Sequence, residues 1–166
     1  FNGSTLGGIK MSMGKNYLNI SVFCHPVDLN NIICKSSKID SSATIGKNVY
    51  IGSNVIIGKS VIISDNVVIK SNTSIEEKSI ICKKSVVHSN VVIYRSTVIG
   101  ENCKIKAGTV IGGLGFGLIT DKTGHHHRIP HVGNVIVGNN VIIGSNCTID
   151  RGTIDNTIIC DGTNLD

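Results

Sequence analysis

The sequence predicts an all-β fold, a parallel β-helix with three faces per coil, and one periodicity carries most of that prediction. From Ile33 to Ile111 every sixth residue is Ile or Val, without exception. A period of six fits neither the 3.6-residue turn of an α-helix nor the two-residue alternation of a long strand. A strict hexapeptide repeat is typical of a coil that presents the same inward position once on each short flat face.

Two further repeat positions agree with this fold. Four residues after each aliphatic comes a small or β-branched residue that we expect to point inward near a corner: Ala43, Val49, Val55, Val61, Val67, Thr73, Ser79, Ser85, Val91, Thr97, Cys103 and Thr109. Asn or Gly often comes three residues after the aliphatic, at Asn48, Asn54, Asn66, Asn72, Asn90, Asn102 and Gly108. Both residue types tolerate positive φ, so this position predicts the left-handed residue of a tight turn.

The repeat divides the chain into four segments. Residues 1–32 lack it and are expected to be the remnant of a preceding domain with a linker. Residues 33–112 form the first coils, residues 113–134 break the period, and residues 135–166 resume it. Because the coils on either side of the break still have to stack, residues 113–134 are expected to form an external loop, and loops of this length are usually functional.

Composition bounds the function. A chain of 166 residues suits one domain, and its net charge of +5 is spread thinly, so nucleic-acid binding is not expected. No apolar stretch is long enough to span a bilayer and no signal peptide is visible, so we expect a cytoplasmic protein without a membrane span. The six cysteines form no C-x-x-C pair and are expected to be small core thiols.

Four histidines, at 125, 126, 127 and 131, invite a metal hypothesis. Three consecutive side chains on a loop rarely converge on one ion, and no Cys or carboxylate stands at ligand spacing, so we expect no metal site. The alternative is a polar loop that lies on a neighbouring subunit. His88 falls at a coil corner and is expected to be a solvent-facing turn residue.

The glycines of Gly113–Gly117 are expected to let the backbone leave and re-enter the coil, since no strand-helix unit surrounds them as a phosphate loop requires. Phe116 is expected to pack against the coil or a neighbouring chain, and the alternative is that it lines an acyl or nucleotide pocket. Phe116 and Gly117 are therefore the candidate substrate-binding residues. For Asp150 and Arg151 we favour an ion pair over catalysis, and no nucleophile–base pair can be assembled.

Three segments carry a resemblance to a known family: Gly112–Gly117 (GGLGFG), Arg128–Gly133 (RIPHVG) and Ile143–Gly152 (IGSNCTIDRG). In order and spacing they resemble the UDP-3-O-(3-hydroxyacyl)glucosamine N-acyltransferases of lipid A biosynthesis. The resemblance covers about residues 30–166.

The resemblance implies a left-handed coil, a homotrimer with active sites between neighbouring prisms, and an acyltransferase. The implied reaction moves an (R)-3-hydroxyacyl group from acyl carrier protein to the 2-amine of a UDP-3-O-acylglucosamine. A His general base takes the amine proton, and backbone N–H groups stabilise the oxyanion. The resemblance implies no cofactor, no metal and no covalent acyl-enzyme.

Two departures from the family matter. Its base lies in a stretch resembling D-N-x-x-x-I-A-H, whose leading Asp matches Asp166, so Asp166 is expected only to support catalysis. The base itself is expected seven residues later, beyond the C-terminal end of this chain. The family's uridine-binding domain is expected to survive only as the remnant in residues 1–32, so we expect the chain to be inactive alone.

Other functions stay open at this stage. Another hexapeptide-repeat sugar O- or N-acyltransferase is the alternative on the same fold, although it is not expected to carry both the Gly-Phe-Gly loop and T-I-D-R-G. A non-catalytic trimeric scaffold is expected to show regular Thr or Ser arrays on an outer face, whereas the outward residues here are mixed. A zinc-dependent hydratase needs His residues on adjacent coils.

Overall fold

The computed structural model describes residues 30–166. The expectation of a domain remnant in residues 1–32 therefore falls almost entirely outside the described residues. Within residues 30–166 every regular element is a β-strand, most of them only two residues long. No helix in this part of the chain is long and apolar enough to cross a membrane.

Nineteen of the strands form three parallel sheets, which are the faces of a prism. The first face contains β1 (Ile32–Ile33), β4 (Tyr50–Ile51), β7 (Val68–Ile69), β10 (Val86–Val87), β13 (Lys104–Ile105), β18 (Ile142–Ile143) and β21 (Asn164–Leu165). The second contains β2 (Lys38–Ile39), β5 (Ile56–Ile57), β8 (Ser74–Ile75), β11 (Val92–Ile93), β14 (Val110–Gly113) and β19 (Thr148–Asp150). The third contains β3 (Thr44–Ile45), β6 (Ile62–Ile63), β9 (Ile80–Ile81), β12 (Val98–Ile99), β17 (Val135–Val137) and β20 (Thr157–Ile159).

The register of the sheets follows the hexapeptide repeat. Each strand pairs with the strand one coil away, so that inward residues stack on inward residues, as Ile51 does on Ile69. Backbone hydrogen bonds run between coils, for example from Val86 N to Cys103 O at 2.8 Å. The predicted parallel coil with three faces is therefore confirmed.

The core is one continuous column of aliphatic side chains. The inward residues from Ile51 to Ile111 are at most 2% exposed, and the small inward position is buried from Val49 to Thr109. Burial of an Ile or Val side chain stabilises a fold by about 1.5–3 kcal/mol. Cys103 takes part in this column, and burial raises the pKa of its thiol. The expectation of core thiols is wrong for the other described cysteines, because Cys34, Cys82 and Cys147 are only partly buried and Cys160 is exposed.

The turns confirm the left-handed position at every Asn that the sequence singled out, with φ between 54° and 61°, and at Gly108 with φ of 76°. Ser60, Lys78, Lys84 and Ser96 adopt the same conformation without an enabling side chain. Stacking imposes it, because each turn bonds to the coil before it, as Lys78 N does to Lys59 O at 2.8 Å.

Two insertions leave the prism at one corner, between the second and third faces, which we call the loop corner. The long insertion runs from β14 to β17 and contains an antiparallel hairpin of β15 (Leu118–Thr120) and β16 (His126–Arg128). The short insertion, between β19 and β20, lengthens one coil to 22 residues, the spacing that joins Asn139 N to Asp161 Oδ1. The coils on either side of the insertions still pair in parallel, with one register shift between Ile111 and Gly113 where β14 pairs with β19.

Candidate functional site

A cleft of about 490 Å³ opens at the loop corner. It is lined by Leu114, Gly115, Phe116, Gly117, Leu118, Arg128, Ile129, Pro130, His131 and Asp150. Most of this lining is apolar, and its polar side chains are Arg128, His131 and Asp150. The three sequence segments that carry the family resemblance thus contribute to one cleft.

His131 is the buried polar side chain of the cleft, with 8% of its surface exposed. Its Nδ1 lies 3.0 Å from the carbonyl oxygen of Ile129. A carbonyl only accepts, so Nδ1 carries the hydrogen, and Nε2 of the neutral ring is left as an acceptor. Nε2 has no hydrogen-bond partner among residues 30–166.

The imidazole of His131 explains two of the loop glycines. A Cβ on Gly115 would stand 2.9 Å from Nε2, and one on Gly117 would stand 3.1 Å from Cε1. Gly117, a candidate substrate-binding residue, therefore gives room to the His131 ring while it lines the cleft. Its contact with substrate stays a prediction.

Phe116 is 94% exposed and lines the same cleft. The expectation that it packs against the coil is wrong within this chain, because the loop holds its side chain away from the prism. A large exposed aromatic ring is suited to cover by a ligand or a second chain. Its role in binding stays a prediction.

Asp150 and Arg151 do not form the ion pair that the sequence favoured. Arg151 is 5% exposed and points inward, while Asp150 is exposed. The Arg151 guanidinium instead donates from Nε to Gly112 O at 2.8 Å and from Nη2 to Arg95 O at 3.0 Å. Burial lowers the pKa of this guanidinium, and the charge of Arg95 adds to the effect. One side chain thus joins three coils at the base of the loop.

The same site interrupts a ladder of buried hydroxyls. Thr73, Ser79 and Ser85 each donate to the carbonyl of the residue 15 positions later, and Ser85 does so to Gly100 O at 2.7 Å. By this spacing Thr97 would donate to Gly112 O, but that carbonyl accepts from Arg151 and Gly112 has a φ of 87°. Thr97 Oγ1 is buried without a hydrogen-bond partner in the described chain.

The histidines of the hairpin diverge. His125 Nδ1 contacts Thr123 Oγ1 at 2.8 Å, and His126 Nδ1 contacts Thr120 Oγ1 at 2.9 Å. His127 Nε2 lies 2.8 Å from Asp121 Oδ2. Residues 30–166 contain no group of three His, Cys, Asp or Glu side chains placed to hold a metal ion.

Asp121 organises the tip of the hairpin. Its Oδ1 accepts hydrogen bonds from Thr123 Oγ1 at 2.6 Å, from Thr123 N at 2.8 Å and from His125 N at 3.0 Å. The Thr123 hydroxyl, and next the His127 side chain, lower the pKa of this carboxyl well below its usual range. The tip is therefore a hydrogen-bonded turn.

The end of the long insertion is bonded to the short insertion. Val132 N donates to Thr153 O at 2.9 Å, and Gly133 N donates to Gly152 O at 3.1 Å. A Cβ on Gly133 or Gly152 would overlap the carbonyl oxygen of Asp155. The two insertions therefore form one unit on the outside of the prism.

Asp166 lies elsewhere. It follows β21 at the corner between the first and second faces, where its Oδ1 is 3.0 Å from the place of a Cβ on Gly144. It does not line the cleft that contains Phe116 and Gly117. His88 lies in the same corner column as Asp166 and is half-buried; burial lowers its pKa, and Lys70, Lys104 and Lys106 add to the shift.

Sequence reasoning missed His131 as a site residue. It grouped His131 with the three hairpin histidines, whereas the structure places it apart from them, under the loop glycines. The available signal was its position in Arg128–Gly133, outside the hexapeptide register and next to Pro130.

Comparison with known proteins gives two family matches. The family described as the GMPPB C-terminal domain matches residues 27–115, and the hexapeptide repeat of succinyl-transferase matches residues 134–164. No curated protein matches the sequence.

Solved structures give the fold. A point mutant of GDP-perosamine N-acetyl transferase from Caulobacter crescentus, in complex with CoA and GDP-perosamine, is 15% identical with a TM-score of 0.64, over 82% of this chain and 52% of that one. The acetyltransferase domain of PglB from Neisseria gonorrhoeae is 16% identical with a TM-score of 0.64, over 82% and 54%. The chain spans about half the length of these structures. Their likeness confirms the predicted left-handed parallel β-helix.

Proposed function

Since the chain belongs to the GMPPB C-terminal domain family, we propose that it is the β-helix of a sugar acyltransferase. The observation that carries the proposal is the cleft at the loop corner. Residues from all three segments of the family resemblance line it, although they are up to 36 positions apart, from Leu114 to Asp150. The succinyl-transferase repeat at residues 134–164 and the N-acetyltransferase structures with the same fold support acyl transfer.

The specific reaction that we propose is transfer of a 3-hydroxyacyl group from acyl carrier protein to the 2-amine of UDP-3-O-acylglucosamine. The amine attacks the thioester carbon, a C–N bond forms, and the C–S bond breaks with release of the carrier thiol. A His general base accepts the amine proton, and backbone N–H groups stabilise the oxyanion. By the family resemblance, we expect that base in the stretch that Asp166 opens.

We further propose that the site is shared between copies in a homotrimer. Phe116 and Gly117 stand at the loop corner and Asp166 at another corner of the same prism, so they can meet only across an interface. Large apolar side chains are exposed around the loop corner, among them Val132 at 69%, Ile154 at 79% and Ile158 at 65%. Exposed apolar patches of this kind are typical of association surfaces.

The test is an acyl-transfer assay on the protein expressed from the complete reading frame that encodes this chain. We expect transfer from 3-hydroxyacyl carrier protein to UDP-3-O-acylglucosamine, and light scattering is expected to give three copies per particle. The reading frame is expected to encode I-A-H within ten codons of Asp166, and changing that His to Ala is expected to abolish turnover. Retained turnover in that variant would refute the proposed base.

A second candidate is a sugar N-acetyltransferase that uses CoA as the acyl carrier. The structures with CoA and GDP-perosamine favour it, because they share this fold. The same assay separates the two candidates when acetyl-CoA and a nucleotide-linked amino sugar replace the first pair of substrates. Turnover with acetyl-CoA but not with the 3-hydroxyacyl carrier protein would reject the carrier-protein reaction, while the proposal of a sugar acyltransferase would stand.

A further inference from the structure

We propose that His131 selects acyl chains that carry a 3-hydroxyl group, by accepting a hydrogen bond from that hydroxyl at Nε2. The inference rests on the proposed function, which supplies the chemical class of the acyl chain. It goes further because it names the cleft at the loop corner as the binding site of the acyl chain and His131 as the residue that recognises the hydroxyl.

The lining of the cleft matches a 3-hydroxyacyl chain. Leu114, Phe116, Leu118, Ile129 and Pro130 provide apolar walls. A volume of about 490 Å³ lies within the range of small-molecule sites. A 3-hydroxyacyl chain is apolar apart from one hydroxyl donor, and the cleft is apolar apart from one acceptor on a largely buried side chain and two exposed charged groups.

His131 is held so that the acceptor cannot turn away. Nδ1 is engaged by Ile129 O at 3.0 Å, and the ring packs against Gly115 and Gly117. Ile129 in turn donates its N–H to Gly117 O at 3.0 Å, which ties the segment of His131 to the glycine loop. The ring is therefore a preorganised acceptor and needs no rearrangement when a chain enters.

Selectivity follows because binding an acyl chain without a hydroxyl would leave His131 Nε2 without a hydrogen bond. A chain without the hydroxyl would remove water from Nε2 and return no hydrogen bond, whereas a 3-hydroxyacyl chain replaces the water. One neutral hydrogen bond corresponds to about a tenfold preference.

Arg128 and Asp150 are weaker candidates for this recognition. Both side chains are exposed, so water solvates them with or without a chain in the cleft. A hydroxyl that bonds to Asp150 only exchanges one hydrogen bond for another, and it gains little over a plain chain.

Two substitutions of His131 separate its nitrogens. In His131→Gln a side-chain amide oxygen reaches the place of Nε2 and can accept, while the bond from Nδ1 to Ile129 O is lost. In His131→Asn the amide nitrogen can keep the bond to Ile129 O, while nothing reaches the place of Nε2. His131→Leu removes both, and Asp150→Asn is the matched change on the exposed carboxylate.

The experiment compares (R)-3-hydroxydecanoyl and decanoyl carrier proteins as donors with the protein from the complete reading frame, by kcat/KM. The natural protein and His131→Gln are expected to prefer the hydroxylated donor about tenfold. His131→Asn and His131→Leu are expected to lose the preference, and Asp150→Asn is expected to keep it. A preference that survives in both His131→Asn and His131→Leu, or is absent from the natural protein, overturns the inference while the proposed function stands.

A binding measurement covers the case in which acyl transfer itself fails. The ¹⁵N resonance of His131 Nε2 is followed while free (R)-3-hydroxydecanoate or decanoate is added. A shift with the hydroxylated acid alone supports recognition of the hydroxyl even if the proposed acceptor or donor is wrong. No shift with either acid, or equal shifts with both, overturns the inference whatever the enzyme's activity.

Discussion

At the scale of single residues, the hydrogen bonds of the buried hydroxyls differ at the loop corner from those in the regular coils. Ser85 and Thr109 reach the carbonyls of Gly100 and Gly144 at 2.7 Å, whereas the corresponding carbonyl for Thr97 is engaged by Arg151. An unpartnered buried hydroxyl costs about 1–3 kcal/mol. The unpartnered Thr97 hydroxyl thus lowers the stability of this corner, because Arg151 takes the carbonyl of Gly112 that Thr97 would otherwise reach.

The change Thr97→Val tests this reading of the corner. Valine has the shape of threonine without the hydroxyl, so we expect the free energy of unfolding to rise by about 1 kcal/mol in urea denaturation. Thr109→Val is the matched control, and we expect it to lower the free energy of unfolding by about 1 kcal/mol. An equal loss in both variants would show that Thr97 has a partner after all.

Some residue conformations could be predicted from the identity of the residue, and others depend on the surrounding coils. The Asn turns were predictable because Asn tolerates positive φ, but Lys78 and Lys84 adopt it only because stacked coils require it. Asp150 and Arg151 are neighbours in sequence, yet consecutive residues of an extended chain point to opposite sides. This geometry sends Arg151 into the prism and leaves Asp150 outside, so no ion pair forms.

At the scale of elements, the hairpin depends on a small number of attachments. Arg151 anchors its base through carbonyls of two lower coils, and Asp121 closes its tip. The sequence predicted that residues 113–134 leave the coil, because the hexapeptide register stops and resumes. It did not predict the antiparallel pairing of β15 with β16, since His-rich strands carry no alternating apolar pattern.

We expect Arg151→Met to loosen the hairpin more than the coils. The change leaves the carbonyls of Gly112 and Arg95 without their donor, at a cost of about 2 kcal/mol. Hydrogen exchange of the amides in residues 113–134 is expected to accelerate, while exchange in residues 50–90 stays slow. Arg95→Met is the control, because Arg95 contributes only its backbone carbonyl to the hydrogen bonds of Arg151. Equal acceleration in both variants would contradict the anchoring role.

The tip of the hairpin should respond to acid through Asp121. Its pKa is lowered in the folded chain, so its contribution to stability is present above the ordinary Asp pKa of about 3.9 and is lost as pH falls through the lowered value. We expect the amide resonances of Thr123 and His125 to keep their folded positions at about pH 4 and to move only in stronger acid.

Asp121→Asn is the control for the acid response. The amide oxygen can still accept from Thr123, but it does not titrate. Movement of the same amide resonances at the same pH in this variant would assign the transition to another group.

At the scale of the whole molecule, the prism behaves as a stack in which each coil is stabilised by its two neighbours. Inward residues are fully buried in the middle coils and more open in the first, where Ile33 is 44% exposed. The repeat therefore predicted nearly the whole fold, because a single inward position every six residues fixes strand, face and register together. The site lay outside that rule, at the place where the repeat is interrupted.

Truncating one inward residue should have a cost that depends on its coil. We expect Ile105→Ala, in the middle of the stack, to lower the free energy of unfolding by about 2–5 kcal/mol. Ile45→Ala, in the half-buried first coil, is expected to cost less and to raise hydrogen exchange only locally. Equal costs measured by urea denaturation would mean that the prism unfolds without regard to position.

Both insertions in this chain emerge from the same vertex of the triangle, and the strands on either side keep their parallel pairing with a single register shift. That vertex is consequently where the architecture accepts foreign sequence. A peptide grafted into the equivalent turn of a lower rung, at Glu77–Lys78, would emerge along the same vertical line as the natural hairpin. Evolution or an engineer could thus add recognition surface one rung at a time without redesigning the column that supports it.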